Sequence, residues 1–397
     1  MRNLHSQQTR RGAITVLAAL LLTFLLGMVA FAVDISWIVL TRAELQNTAD
    51  SAALAGVQQM MDNLPLFYDG NATAAQKNTL ANAAMTAART KARAMAAANT
   101  AGGVSNLNLL DGDMIFGYTD STGTFTQYSS ASANHPNTMK VTVRRDGTAN
   151  TTLGLFFAPV LGSTSTSLTA NATAVLYSGT VDSFLPTAIG GVLPMTYDET
   201  YWNNFVATGQ NPDGAISTDA SGNPQIKVYP SIKATGNFGL LSLDDSSNSA
   251  STIRRWIDSG MTSSEVTSIS SDGLIPLSSH DATAWDWKGA PGMKASDVMA
   301  VNDHTGDTYL MPLFKAYNSD PTNYAAGTGN GSHYDYNIVS FVAVRIQATT
   351  DTNGSVIVQP AAKIVEGDVT WLSGSLKPAG SGTTRGATTF STPKLTQ

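Results

Sequence analysis

The stretch that most limits what this chain can become is "RRGAITVLAALLLTFLLGMVAFAVDIS", residues 10–36. Ala13 to Val33 carry no charge. At about 1.5 Å rise per helical residue they reach roughly 31 Å, enough to cross a hydrocarbon core of about 30 Å. A cleavable secretory signal would have an apolar core of only about 7 to 15 residues and a small-x-small exit before unrelated mature sequence. Here Ala30 and Ala32 give a weak exit, and the helical pattern runs on from Asp34 to Met61 with no proline before Pro65. Ile35, Ile38, Val39, Arg42, Leu45, Ala49, Ala52, Ala53 and Gly56 recur at helical spacing along it. The reading is a retained transmembrane helix over residues 13–33, bounded by Arg10, Arg11, Gly12 and Ala13 before it and by Val33 and Asp34 at its end, continuing into a stalk helix over 34–64. Arg2, Arg10 and Arg11 place the leader, residues 1–12, on the cytoplasmic side. The remaining mass then faces outward, so the expected location is a bacterial inner membrane with the bulk periplasmic or extracellular.

Composition fits an exported chain. Of 397 residues only 13% are charged, the formal net charge is −6, and Thr, Ser, Asn, Ala and Gly abound. Nucleic acid is excluded as a partner class: 23 Lys and Arg are outnumbered by 29 acids and form no basic run. The absence of Cys excludes disulfides, thiolate catalysis and Cys-ligated zinc.

The soluble part reads as α+β, in two domains. In the first, residues 65–180, "NATAAQKNTLANAAMTAARTKARAMAAANTAGG" is an Ala-rich helix whose small face suits close packing on the stalk helix, ending at Gly102–Gly103 as a glycine C-cap. Antiparallel strands follow: "DMIFGYTD" and "TFTQYS" joined by Ser121–Thr122–Gly123, then "TMKVTVRRD" with Met139, Val141 and Val143 on one face, and an alternating strand ending near Tyr177.

These segments resemble the TadE/TadG-like proteins of the Tad (Flp) pilus-assembly system, in particular the TadG-like branch. The likeness lies in the basic pair Arg10 and Arg11, Gly12 and Ala13, the apolar span, and then Asp34, Leu45, Gln46, Ala49, Asp50, Ala52, Ala53 and Ala55. "TMKVTVRR", "LFFAPVLG" and "TANATAVL" are similar to the family's sheet elements. The resemblance covers residues 10–60 and 105–176. It implies a pilus-assembly role, with the lipid bilayer and other pilus-assembly proteins as partners through the N-terminal helix. Pilins of the system are cut after a Gly by a peptidase that reads a Glu at the fifth position beyond. Here that position would be Leu17. An uncleaved anchor and an accessory component, not a fibre subunit, are therefore expected.

The second domain, residues 181–373, reads as strand-rich, with a helix carrying Ile253, Trp256 and Ile257 on one face and Gly260 at its end. The Ser-, Gly- and Thr-rich tail, 374–397, reads as disordered. Asp245-Ser246-Ser247-Asn248-Ser249 offers a D-x-S-x-S pattern that looks like the metal-ion-dependent adhesion site of von Willebrand factor A domains. Asp245, Ser247 and Ser249 could hold a hard cation through oxygen. The competing reading is a polar loop whose Ser249 or Asn248 caps the following helix. His280–Asp281, His304 with Asp303 and Asp307, and His333 with Asp335 lack a second His at metal spacing and read as solvated loops. Trp285 and Trp287 could meet a partner, though a strand edge with one Trp buried is the ordinary reading. No phosphate-binding or dinucleotide motif and no hydrolase elbow is present. The expectation is a non-enzymatic, membrane-anchored component of unknown oligomeric state, without a cofactor.

Overall fold

The computed structural model describes residues 8–184, 191–230, 238–243, 249–262, 264–265, 275–276, 287–290, 293–318, 327–330, 333–349, 354–365, 369–371, 373–380 and 389–396. It is a mixed helix and sheet protein: one long N-terminal helix and a strand-rich remainder. The long helix, α1 (Gln8–Gln58), runs 51 residues without a break, roughly 77 Å at the helical rise. Its two halves bury differently. From Ile14 to Val33 the large apolar side chains stand exposed, whereas Leu45, Ala49, Ala52, Ala53 and Val57 are completely buried.

That second half is a core element, packed on by the Ala-rich helix as the sequence suggests and by the sheet as well. Its small face is covered by α3 (Ala74–Ala97), which presents Ala81, Ala84, Ala88 and Ala92, after the short α2 (Leu64–Phe67) has turned the chain back. Small residues on both helices let the backbones approach closely, as the sequence predicts for α3 on the stalk. The sheet below consists of β1 (Met114–Thr119), β2 (Phe125–Gln127), β3 (Thr138–Arg145) and β4 (Leu168–Val175), all antiparallel. Met139, Val141 and Val143 of β3 point into the same core as the helices. Helix α3 starts with a capping box, Thr73 with Gln76, and ends at Ala97. It therefore stops short of Gly102–Gly103. Those glycines, with φ of 55° and 77°, form instead the two-residue turn between Thr100–Ala101 and Val104–Ser105, where positive φ at both positions matches the twist of a tight hairpin.

A second hydrophobic cluster lies beyond residue 180. Its nine-stranded sheet contains β5 (Met195–Asp198), β6 (Ile226–Tyr229), β7 (Phe238–Leu241), β8 (Trp287–Ala290), β9 (Thr308–Phe314), β10 (Thr328–Asn330), β11 (His333–Tyr336), β12 (Ile338–Gln347) and β13 (Val356–Pro360). Their order is β6-β13-β12-β9-β5-β7-β8-β11-β10. Among the described strands of this sheet, β5 and β9 pair in parallel and the other neighbours antiparallel. Helices α4 (Glu199–Thr208), α5 (Ala250–Ser259) and α6 (Ala295–Asn302) contribute Trp202, Phe205, Trp256, Ile257 and Val298 to that core. Trp287 is wholly buried against Phe341, ring centroids 5.8 Å apart.

The end of the chain departs from the expected disordered tail. Lys394–Thr396, here β14, pairs antiparallel with β4, completing the order β14-β4-β3-β1-β2. Thr389–Phe390 joins Tyr177–Ser178 and Lys363–Ile364, and Phe390 is fully buried. Asn137 Nδ2 donates to Ala379 O at 2.8 Å. The chain thus leaves the first sheet at Val175, and after Lys377–Pro378 and Thr389–Phe390 have paired beside Tyr177–Ser178, Lys394–Thr396 returns to its edge.

Candidate functional site at the end of the apolar run

Asp34 immediately follows the uncharged run and is only 4% exposed. Its Oδ1 accepts from the Phe156 amide at 2.8 Å, and its Oδ2 accepts from Phe157 at 3.1 Å and Ala158 at 2.7 Å. These amides open a short 3₁₀ turn, Ala158–Leu161, whose own cap residue Phe157 offers no side-chain acceptor. First-turn N–H groups need an outside partner. The carboxylate supplies it from another element, and its negative charge suits the positive end of the turn. Burial acts to raise the pKa of Asp34, but the three amide donors outweigh it and hold the carboxyl below the ordinary carboxylate range.

Other contacts fasten the same junction. Trp37, one turn along α1, packs on Phe156 at 5.8 Å between ring centroids. Val29, Val33, Trp37, Leu40 and Phe156 line a shallow groove there. Leu153–Gly154 pairs with Ser165–Thr166 at the base of the loop. Arg145, 3% exposed, donates to the carbonyls of Ala101 at 3.0 Å, Gly102 at 2.7 Å, Asn150 at 3.1 Å and Thr152 at 3.1 Å. Burial lowers its pKa and Glu44 opposes that. Glu44 in turn accepts from the Gly102 amide at 2.7 Å. A guanidinium serving this many carbonyls fixes two loops to each other, because its donors are arranged in a rigid fork. Asp34, Trp37 and Glu44 thus tie α1 to the sheet's loops just beyond the apolar run.

Of the residues that the sequence places at the anchor boundary, Arg10, Arg11, Gly12 and Ala13 lie on the backbone of α1 but their side chains are outside the described set. Val33 is exposed, and Asp34 is the buried hub. The signal for its role was a carboxylate directly after an apolar run, with an uncharged "GLFFAPVLG" far downstream; nothing in the spacing joined them.

Asp245 and Ser247 lie outside the described residues. Ser249 caps α5, its Oγ accepting from the Thr252 amide at 3.2 Å. Among the described residues no group of three His, Cys, Asp or Glu side chains is placed to hold a metal. His304 differs from the solvated-loop expectation: its Nε2 donates to Asp258 at 2.8 Å and its Nδ1 to Asp307 at 3.1 Å. Asp303 pairs with Arg254 at 2.5 Å instead. The Asp258 hydrogen bond, followed by that of Asp307, raises the His304 pKa against a smaller opposing effect of burial. His280, Asp281 and Trp285 lie outside the described residues.

Comparison with known proteins bears on this same helix. The family model for putative Flp pilus-assembly TadE/G-like proteins matches residues 12–59. The match begins at the foot of the apolar run and ends as α1 ends, so it spans the exposed half, Asp34 and the buried half. No curated protein and no solved structure gave a significant match.

Proposed function

We propose that the protein is a non-enzymatic, membrane-anchored component of a Tad/Flp-type pilus or surface-assembly apparatus. The observation that carries this reading is a single helix, matched to the pilus-assembly family, that is bare and apolar in its first half and is the core of a folded unit in its second. It is long and apolar enough to cross a bilayer. Residues 13–33 span the inner membrane once, with Arg10 and Arg11 cytoplasmic and the sheets outside.

The small-residue face Ala49, Ala52, Ala53 and Gly56 is taken up inside the chain by α3 and β3. Partner helices therefore meet the apolar half, which the chain's own sheets leave bare apart from Phe156 beside Val29 and Val33. Because α1 is unbroken and is fastened by Asp34 and Glu44, a push or tilt on the span reaches the outer sheets without a hinge.

Deletion of the gene in its source bacterium tests the assignment. Surface pili counted by electron microscopy should be lost, restored by the full chain, and not restored by a soluble form from which residues 1–33 are replaced by a cleavable signal. Undiminished piliation in the deletion strain would overturn the assignment. Rescue by the soluble form would remove the anchor from the mechanism.

A further inference from the structure

We propose that the loop Leu155–Gly162 is a second membrane contact: its side chains lie in the lipid interface of the leaflet in which the C-terminal end of the span emerges. This rests on the reading of residues 13–33 as a span.

The apolar content of the loop is displayed outward instead of buried. Phe156 is 61% exposed, Phe157 47%, Val160 88% and Leu161 84%. Four adjacent large apolar side chains on one loop are a costly thing to leave in water, since each would gain from leaving it. Outside α1, few other large apolar side chains of the described residues are exposed, and they are scattered.

The position of the loop is fixed by α1 itself. Asp34, the first charge after the uncharged run, holds the amides of Phe156, Phe157 and Ala158. The loop backbone is therefore level with the end of the span. Phe156 shares a groove with Val29 and Val33, which lie within the last turns of the run, so the loop leans along the helix toward the apolar side.

No charged side chain on this segment opposes immersion at this depth. From Gly147 to Val181 the chain has no Asp, Glu, Lys or Arg. The amides at the head of the turn are satisfied by Asp34, which removes the penalty that unpaired backbone groups would meet near hydrocarbon. Trp37 beside Phe156 has the amphipathic ring that concentrates at membrane interfaces. Continuity with the span thus selects lipid as the occupant over a soluble partner.

The chain has no Cys, so single-cysteine reporters can be placed cleanly. The full chain carrying Val160→Cys, labelled with an environment-sensitive fluorophore, is reconstituted alone into phosphatidylethanolamine/phosphatidylglycerol vesicles. Leu25→Cys within the run and Thr122→Cys on the distant β1–β2 turn are the two references. The expected result is quenching of the Val160 reporter by lipids spin-labelled near the headgroup end of the acyl chain, with protection from aqueous iodide, and loss of most of that quenching when Phe157 and Leu161 are both changed to Ser. Iodide quenching equal to that at Thr122, with Leu25 still quenched by lipid, overturns the proposal and leaves the anchor standing. Failure of lipid to quench Leu25 overturns the anchor reading itself. Protection of Val160 from iodide without quenching by lipid means that a second copy covers the loop, and this also overturns the proposal.

Discussion

Asp34 and Phe156 stand 122 residues apart in the chain and meet through a 2.8 Å hydrogen bond from the Phe156 amide to the Asp34 carboxylate. The bond joins the end of the apolar run to a loop that otherwise has no cap of its own. Asp34→Ala should leave the helix intact, because Ala is the best helix former, while freeing the turn at Ala158–Leu161. Limited proteolysis of the detergent-solubilised protein should then cut between residues 155 and 164 faster than in the wild type, with cleavage elsewhere unchanged. Asp34→Asn should lie between the two, since its single amide oxygen keeps part of the acceptor capacity without the charge. Equal cleavage in all three would mean that Trp37 and the Leu153–Gly154 pairing hold the loop alone.

Gly56 sits where α1, α3 and β3 converge. A Cβ there would overlap Met139 Sδ and meet the Ala88 carbonyl at 3.3 Å. The thioether can move, but Met139 is fully buried and the carbonyl belongs to helical backbone. Gly56→Val should destabilise by about 1–3 kcal/mol through overpacking, read as a lower midpoint in denaturant unfolding. Gly56→Ala should cost less, because it adds the Cβ alone, without the two further methyls that valine would drive into the same space. A neutral Gly56→Val would show that the helices are not in close contact at this point.

His135 gives the fold a pH dependence. It is completely buried, T-shaped against Phe67 at 5.1 Å, with Nδ1 donating to the Pro136 carbonyl at 2.8 Å, and burial lowers its pKa to about 4. The folded chain therefore keeps it neutral while the unfolded chain takes up a proton below about 6.5. Stability is full above that value and falls as pH drops toward 4, by about 3 kcal/mol over the whole interval. His304 acts in the opposite sense: its pKa is raised, so its contribution is present below 6.5 and lost as pH rises past its folded value. Comparing wild type with His135→Phe isolates the first effect, since His304 is common to both. The variant should show a shallower loss of stability between pH 6.5 and 4, and equal slopes would remove His135 as the cause.

The parts of this structure that were legible in the sequence are those written in local periodicity. The apolar run, the alternation of Met139, Val141 and Val143, and the Ile253, Trp256, Ile257 face needed only neighbours a few residues away. Ser249 as a cap was legible as one of two readings, because Ser before a helix is a local signal. What stayed hidden was pairing at a distance. The packing of α3 on the helix beyond Asp34 was suggested by its small-residue face, but that the same face also meets β3 at Met139 was not. "LFFAPVLG", likened to the family's sheet elements, is instead an exposed loop with a 3₁₀ turn, since an apolar run carries no mark of which side faces solvent. Asp34 and Arg145 each satisfy loops that lie far away or across the sheet, and no spacing rule links a carboxylate to amides 122 residues later.

The chain end shows the same limit most clearly and supplies the last test. Its Ser, Gly and Thr content resembles a tail that cannot bury enough apolar surface to order itself. Phe390 alone changes that balance, because it enters the first core beside Ala362 and Ala379 and is fully buried there. Once it is seated, Lys394–Thr396 can extend the open edge of β4, and Val365 and Ser391 gain backbone partners from Phe390 and Tyr177 at 2.9 and 3.1 Å. Phe390→Ala should cost about 3–5 kcal/mol, the usual range for removing a buried aromatic ring. Removing Lys394–Thr396 should cost much less, since an edge strand of three residues adds few bonds and exposes one strand rim. Hydrogen exchange would separate the two: the truncation should deprotect β4 alone, while Phe390→Ala should loosen β4 together with Tyr177–Ser178 and Lys363–Ile364. If Phe390→Ala leaves exchange at Tyr177–Ser178 unchanged, the returning segment does not close the first core, and the chain end is only an attachment to the sheet edge.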